Sequence, residues 1–236
     1  MTQNLIAQLA QNIIVSCQAL EDEPLYGPEH MAVMAVAAEE GGAIAIRANT
    51  PQDVRAIKRK CKLPIIGLYK KDYPDSAVYI TPTIREVKEI AEAGAEFVAI
   101  DATSLTRPGG EKLEHFVQSI REECPGLLIV ADVSTYEEGV TAMGLGVDLV
   151  STTMSGYTPQ SMTNEGPDIE LVRRLSALGG VPVLAEGRIW TPSEAAECLK
   201  AGAYAVVVGT AITRPQEITR RFATAILEAA RQKQTS

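Results

Sequence analysis

Seven polar or charged side chains end strand-like segments of the sequence, where a buried strand would otherwise stay apolar. They are Gln18, Arg47, Lys70, Asp101, Asp132, Thr153 and Glu186. Any one of them is compatible with a structural role beside a neighbouring loop, but seven together indicate a functional site. A lysine and a glutamate in one site can move a proton, because a neutral amine takes one from carbon and a protonated amine stabilises an enolate. The sequence leaves open which form of Lys70 applies, and a salt bridge without chemistry is the alternative.

The two histidines do not suggest a metal centre. His30 and His115 both lie in helical segments, away from any carboxylate pattern that resembles a metal site. The sequence therefore predicts chemistry without a metal ion, in which proton transfer falls to lysine and carboxylates.

The elements that position these residues recur eight times, each as a short β-branched run followed by an amphipathic segment. Strands are predicted at 13–18, 43–48, 64–70, 97–102, 128–134, 149–153, 181–187 and 205–210. Cap signals at Thr50-Pro51, at Thr83 with Glu86 and at Thr191-Pro192 predict helix starts. Eight parallel βαβ units in 236 residues favour a closed (β/α)8 TIM barrel over an open sheet. We expect one α/β domain over residues 1–236.

Strand parity predicts how the polar strand ends meet. Gln18, Lys70, Asp132 and Glu186 follow strands 1, 3, 5 and 7, and alternate strands of a barrel contribute to the same layer. Strands 3 and 7 are opposite each other, so Lys70 and Glu186 should face one another across the mouth. Arg47 on strand 2 should lie between Gln18 and Lys70. The polar loops after strands 3 and 6, at 70–82 and 154–167, are predicted to cover this mouth.

Two glycine turns after strands 7 and 8 predict a phosphate site of the kind that barrels form there. Gly187 and Gly209 allow the backbone to approach an anion closely. Thr210 and successive backbone N–H groups can surround it, while Arg188 or Arg214 supplies positive charge. Ordinary tight turns are the alternative interpretation.

Composition argues against several classes of partner and location. The net charge of −8 argues against nucleic acid or an anionic membrane. No apolar stretch reaches the roughly 18 residues that span a bilayer. The four cysteines are scattered without a CxxC pair, and the amino-terminal segment lacks the basic flank and cleavage site of a secretory signal. We expect a cytoplasmic protein.

Most of the sequence resembles the N-acetylmannosamine-6-phosphate 2-epimerase family, from residue 12 to residue 222. The resemblance is carried by SCQALEDEPLYGPEH, AIAIRAN, PIIGLYKKDYPDSAVYITPT, AIDATSLTRP, ADVSTYEEG, STTMSGYT and PVLAEGRIWTPSEAAECLKAGAYAVVVGTAITRP. The VVVGTAITRP part is shared more loosely with other phosphate-binding barrels. The resemblance implies reversible conversion of N-acetyl-D-mannosamine 6-phosphate to N-acetyl-D-glucosamine 6-phosphate, in sialic acid and amino sugar breakdown, without a cofactor.

The family reaction gives the strand-end residues specific roles. Inverting C2 requires ring opening, because the aldehyde makes the C2 proton acidic, and Lys70 would remove and return that proton. Glu186 would hold Lys70 and relay its proton, or act as a second base from the opposite face. Arg47 and Gln18 would bind the aldehyde or N-acetyl oxygens and Asp132 a hydroxyl or the amide. The residues of the two glycine turns would hold the 6-phosphate.

Two functions from other classes remain as alternatives. A barrel lysine with a glutamate partner also suits a Schiff-base aldolase or lyase acting on a phosphorylated sugar. A phosphosugar-binding barrel without catalysis is the second. Metal-dependent pentose-phosphate epimerases share the phosphate loops, but their histidine ligands are missing from this sequence.

The last helical segment, PQEITRRFATAILEAARQ, has an apolar face that includes Ile218, Phe222 and Ile226. Such a face can dock on its own barrel or on a partner subunit, and we expect a homodimer.

Overall fold

The computed structural model describes residues 2–161 and 165–234 and shows a closed barrel of parallel strands. The strands are β1 Ile13–Cys17, β2 Ala45–Asn49, β3 Ile65–Leu68, β4 Phe97–Asp101, β5 Leu128–Asp132, β6 Leu149–Ser151, β7 Val183–Glu186 and β8 Ala205–Val208. The α-helices are α1 Thr2–Leu9, α2 Pro28–Glu40, α3 Pro51–Lys60, α4 Ile84–Glu92, α5 Leu113–Glu123, α6 Tyr136–Gly144, α7 Ile169–Ser176, α8 Pro192–Lys200, α9 Thr210–Thr213 and α10 Pro215–Gln234. Each strand pairs with the next and β8 pairs with β1, which confirms the predicted (β/α)8 barrel.

Side chains on the strands alternate between the barrel interior and the surrounding helices. On β2, Ala45 packs in the interior cluster, whereas Ile46 and Ala48 pack with the helices outside. Arg47 and Asn49 therefore point toward the barrel axis. The same alternation on the other strands places polar side chains at the carboxyl ends, above an apolar interior.

The amino-terminal helix closes the opposite end of the barrel. Leu9 of α1 is fully buried in the interior cluster that also contains Ile14 and Phe97, and Leu5 packs against it. The sequence pattern predicts no element for this segment. Helix α1 thus covers the amino ends of the strands with apolar side chains, and the polar strand ends lie at the opposite, open end of the barrel.

A glycine allows α4 to pack closely against β3. A Cβ atom at Gly67 would lie 2.5 Å from Ile90 Cγ2, which is closer than packed side chains allow.

Strand β3 ends at Leu68, earlier than the predicted end at residue 70. Lys70 instead forms an isolated antiparallel bridge with Ile80, so the loop after β3 folds back toward the mouth.

Reciprocal capping boxes fix the starts of three helices. In α4, α6 and α8 the N-cap threonine and the glutamate three residues later each bond to the other's backbone. The pairs are Thr83 with Glu86, Thr135 with Glu138, and Thr191 with Glu194. The first and third confirm predicted helix starts, and all three limit how far the preceding loops can move.

Across the described ranges, none of the helices combines the length and the apolar character needed to cross a membrane.

Candidate active site

A cavity of about 1230 Å³ opens at the carboxyl ends of the strands. The predicted site residues that line it are Gln18, Arg47, Lys70, Glu186, Gly187, Arg188, Gly209, Thr210 and Arg214. Asp132 is absent from this lining and fully buried. Residues from five strand ends thus meet at one mouth, and Thr153, after β6, lines it as well, as expected for a barrel active site.

A buried arginine joins two carboxylates at the floor of the cavity. The guanidinium of Arg47 donates from Nη1 to Asp132 Oδ1 at 3.0 Å and from Nη2 to Asp132 Oδ2 at 2.5 Å. Arg47 Nη1 also lies 3.1 Å from Glu186 Oε2. The Thr153 hydroxyl is 2.8 Å from Asp132 Oδ1 and 2.9 Å from Glu186 Oε2, so its one proton serves either carboxylate. This bidentate arrangement holds both carboxylates in fixed orientations.

The charges in this cluster depend on one another. Burial disfavours the charge of Arg47, but Asp132 and Glu186 outweigh burial and raise its pKa. Burial also raises the pKa of Glu186, and Asp132 adds to the rise, while Arg47 and Thr153 oppose it. Arg47 therefore stays cationic and is committed to its two partners.

Lys70 has an unusually low pKa for a lysine. Burial lowers the pKa of its ammonium to about 8, with further lowering by Arg214 and then Arg47. Glu186 and Glu23 act in the opposite direction but do not prevail. A sizeable neutral fraction is therefore present near neutral pH, which is the form that can accept a proton from carbon.

Lys70 and Glu186 both face the cavity, from β3 and β7, but no ion pair joins them within the part of the chain that the structure describes. Glu186 is paired with Arg47 instead. The sequence predicts that Arg47 lies between Gln18 and Lys70, with its guanidinium free to bind substrate oxygens. The observed side chain reaches across the barrel to β5 and β7, because its length spans the interior.

The phosphate end of the cavity has the two predicted glycine turns. Gly187 has a positive φ of 110° that favours glycine, and a Cβ atom at Gly209 would lie 3.3 Å from Ser16 Cβ. Arg214 donates from Nη1 to Thr210 Oγ1 at 3.2 Å and from Nη2 to Glu23 Oε2 at 3.0 Å. Arg214 thus lies at the cavity and is held by a carboxylate.

Arg188 lines the cavity, but its guanidinium is used elsewhere. Its Nε donates to the Gly166 carbonyl at 2.9 Å, its Nη1 donates to the Ser155 carbonyl, and it lies over the Tyr157 ring. Arg188 has a positive φ of 55°, and its side chain lies against the loop after β6. The Arg188 guanidinium therefore fixes the two ends of that loop by hydrogen bonds. Residues 162–164 of the loop lie outside the described part of the chain.

Sequence reasoning missed two polar groups at the mouth. Asn49 lines the cavity, and its Oδ1 accepts the backbone N–H of Lys70 at 2.9 Å. Ser151 lies 2.8 Å from Thr153 Oγ1 and donates to Glu186 Oε2 at 3.3 Å. Both face inward by the same alternation as Arg47, so strand parity is the signal that could have found them. Gln18, which was predicted, donates to Ser16 Oγ at 2.9 Å.

No group of three or more His, Cys, Asp or Glu side chains among the described residues could hold a metal ion. Metal-free chemistry stays a prediction.

Comparisons with known proteins agree on one family. Residues 31–228 match the family model NanE, described as "Putative N-acetylmannosamine-6-phosphate epimerase". A relative from Caldanaerobacter subterraneus subsp. tengcongensis, with the corresponding 2-epimerase name, is 58% identical over 97% of this chain and 96% of its own. A relative from Clostridium perfringens with the same name is 52% identical over 89% of this chain and 95% of its own.

Solved structures give the same picture. The N-acetylmannosamine-6-phosphate 2-epimerase from Clostridium perfringens superposes with a TM-score of 0.91 at 49% identity, covering 94% of this chain and 96% of that one. FabK from Thermotoga maritima, at 20% identity and a TM-score of 0.60 over 89% of this chain and 64% of that one, shares the fold alone.

Proposed function

The chain belongs to the N-acetylmannosamine-6-phosphate epimerase family, and we propose that it inverts C2 of N-acetyl-D-mannosamine 6-phosphate with Lys70 as the base. The product is N-acetyl-D-glucosamine 6-phosphate, and the enzyme is an isomerase. The observation that carries the assignment of the base is the position of Lys70, half-buried in the cavity wall, where its pKa of about 8 makes the amine a proton acceptor near neutral pH.

The reaction proceeds on the open-chain aldehyde. Neutral Lys70 removes the proton from C2, the C–H bond electrons form a C1–C2 double bond, and negative charge passes to the oxygen on C1. The enolate then reorients so that the other face of C2 meets Lys70, and return of a proton from the Lys70 ammonium to that face gives the epimer. No net oxidation or co-reactant is involved.

Glu186 supports this step without acting as a second base. Its Oε2 atom is held by Arg47 at 3.1 Å and by the Thr153 hydroxyl at 2.9 Å, which restricts its movement toward C2. Its charge favours the ammonium that Lys70 becomes after proton removal. Asp132 orients Arg47 from beneath the cavity. Gln18 remains the candidate to bind an aldehyde or N-acetyl oxygen.

The 6-phosphate is assigned to the glycine turns. Gly187 and Gly209 open the backbone to the anion, and the hydroxyl and N–H of Thr210 donate to it. Arg214 supplies charge by exchanging its Glu23 partner for the phosphate. Arg188 contributes indirectly, by holding the neighbouring loop.

Proton NMR in deuterated water tests the assignment. The wild-type enzyme should replace the C2 proton of N-acetylmannosamine 6-phosphate with deuterium while the N-acetylglucosamine signals grow. The Lys70→Met variant should do neither, although it retains a side chain of similar length. Normal exchange by Lys70→Met would refute the role of Lys70. Reduction with borohydride should leave the protein mass unchanged, since a trapped adduct on Lys70 would favour Schiff-base chemistry instead.

We also propose a homodimer formed through α10. Its apolar face is not packed on its own barrel, because Phe222 is 68% exposed and Ile226 is 67% exposed. Ile13 at the start of β1 is only half-buried, and it packs against two apolar clusters, one beneath α2 and the other beneath α8. It therefore offers an apolar contact for a helix from a second copy. An exposed face of this kind marks an interaction site.

Sedimentation measures this directly. Wild-type protein should sediment with twice the chain mass, and Phe222→Glu should shift it toward the monomer. Thr224→Glu adds the same charge on the opposite side of the helix and should leave the dimer intact. A monomeric wild-type protein would exclude the dimer.

A further inference from the structure

Asn49 is a buried amide at the cavity for which sequence reasoning gave no role. It ends β2, points toward the barrel axis like Arg47 two residues earlier, and is 5% exposed. It also lines the cavity. A polar side chain so buried requires hydrogen-bond partners for both ends of its amide.

The contact with Lys70 fixes the orientation of this amide. The backbone N–H of Lys70 can only donate, so the atom 2.9 Å from it is the Asn49 oxygen. The NH₂ group therefore points away from that backbone. The Oδ1 contact is the hydrogen bond that this side chain makes among the described residues. Nδ2 is not one of the fully buried polar atoms that lack a partner, so its N–H donors are open to the cavity that Asn49 lines.

The donors already assigned at this mouth serve other atoms. Gln18 donates to Ser16 Oγ and keeps its second N–H for the N-acetyl oxygen of the substrate. Both terminal nitrogens of Arg47 are bonded to carboxylates. Lys70 itself must be neutral to take the proton. The charge that develops on the substrate nevertheless needs a donor placed before the reaction starts.

We propose that Asn49 donates a hydrogen bond from Nδ2 to the oxygen on C1, the atom that becomes negative when Lys70 deprotonates C2. The assignment rests on the proposed epimerase reaction. One side chain would thus hold the backbone of the base through Oδ1 and stabilise the enolate through Nδ2. A neutral donor does this without adding a cation next to Lys70, whose pKa Arg214 and Arg47 already lower.

Two substitutions separate the two contacts. In Asn49→Asp the carboxylate still accepts the Lys70 N–H but has no N–H to donate, whereas Asn49→Ala loses both contacts. Both variants should lower kcat for C2 deuterium exchange by about 10²–10³-fold, the loss typical of removing one oxyanion donor. If Asn49 only positions Lys70, Asn49→Asp should keep kcat within about threefold of wild type while Asn49→Ala falls.

The rates are compared on the alkaline plateau, since a carboxylate near Lys70 raises its pKa and shifts the pH profile. Asn4→Asp is the matched control, because it adds the same charge on exposed α1 at the far end of the barrel. Its kcat should equal that of the wild type.

A binding measurement distinguishes an enolate contact from a ground-state contact. The alditol 6-phosphate of N-acetylmannosamine has a hydroxyl at C1 that cannot become an enolate. Its Kd, read from the fluorescence of Trp190 in the cavity wall, should change by less than about fivefold in Asn49→Ala. A loss of binding equal to the loss in kcat would overturn the proposal. Failure of the wild-type enzyme to exchange the C2 proton would instead refute the epimerase reaction itself.

Discussion

The pKa of Lys70 predicts how catalysis should depend on pH. A base acts only when deprotonated, so kcat/KM should rise with pH and level off above the pKa of Lys70 in the free enzyme. That pKa is lowered from 10.5 to about 8 by burial, by Arg214 and by Arg47. The midpoint of the rise should therefore lie near pH 8, well below that of an exposed lysine.

The size of the effect follows from the shift. With a pKa of about 8, roughly a tenth of Lys70 is neutral at pH 7, compared with about one part in 3,000 for an unperturbed lysine. The site therefore gains roughly 300-fold in available base at neutral pH. Between pH 7 and pH 9, kcat/KM should rise about tenfold.

Initial rates of C2 deuterium exchange measure the profile, fitted above pH 7 because the substrate phosphate itself titrates near pH 6. The neighbouring charges predict the direction of two further shifts. Glu186 favours the ammonium, so Glu186→Gln should move the midpoint to lower pH, while Arg214→Gln should move it to higher pH. Their absolute rates will fall, and the midpoint is the informative quantity.

A profile that stays flat from pH 6.5 to pH 9 would refute the reasoning. So would a midpoint above pH 10, since Lys70 would then act as a cation that stabilises the enolate and some other group would remove the proton.

Other predictions concern stability. Lys70→Met should raise the free energy of unfolding at pH 7 by up to about 3 kcal/mol, because burial disfavours the Lys70 ammonium in the folded protein. This gain should disappear as the pH rises from about 8 to 10.5, where Lys70 becomes neutral in both the folded and the unfolded protein. Urea unfolding at several pH values measures the difference. Asp132→Asn should lower the free energy of unfolding by about 3–5 kcal/mol, because buried Arg47 loses its bidentate partner. Gly156→Ala should displace Arg188, since the new Cβ would overlap its guanidinium at a φ of 84°, and faster proteolysis of the loop after β6 would report it.

Strand alternation explains why so much of the site could be predicted. Lys70, Arg47 and Glu186 follow apolar runs at the inward positions, so the pattern that identifies a strand also identifies the residue at its mouth. The eight strands are found at the predicted places. Most are shorter than predicted, whereas β2 starts later and ends one residue later, at Asn49. The barrel fold and the location of the site at its mouth could therefore be predicted from the alternation of apolar and polar residues along the strands.

The remaining details depend on side-chain reach and on strand ends. Asn49 escaped notice because strand 2 was predicted to end at residue 48, one position early. The sequence predicts that Arg47 lies at the mouth of the barrel, but not that it pairs with Asp132 and Glu186. A residue pattern does not specify how far a long side chain extends across a barrel. Arg188 bonds to carbonyl groups of the loop after β6 instead of facing a phosphate, and it has a positive φ that no residue pattern indicates.

The charge balance of the cluster connects its structure to the proposed reaction. Arg47 with Asp132 and Glu186 carries a formal charge of −1 when both carboxylates are ionised. A neutral Lys70 leaves this negative charge uncompensated beside a neutral aldehyde. When Lys70 takes the C2 proton, its ammonium balances the cluster, and the new negative charge appears on the substrate instead. Before the reaction, burial, Arg214 and Arg47 keep part of Lys70 neutral although Glu186 favours the ammonium. Once the proton has moved, Glu186 stabilises that ammonium through an orientation already fixed by Arg47 and Thr153, so no reorganisation is needed as the enolate forms.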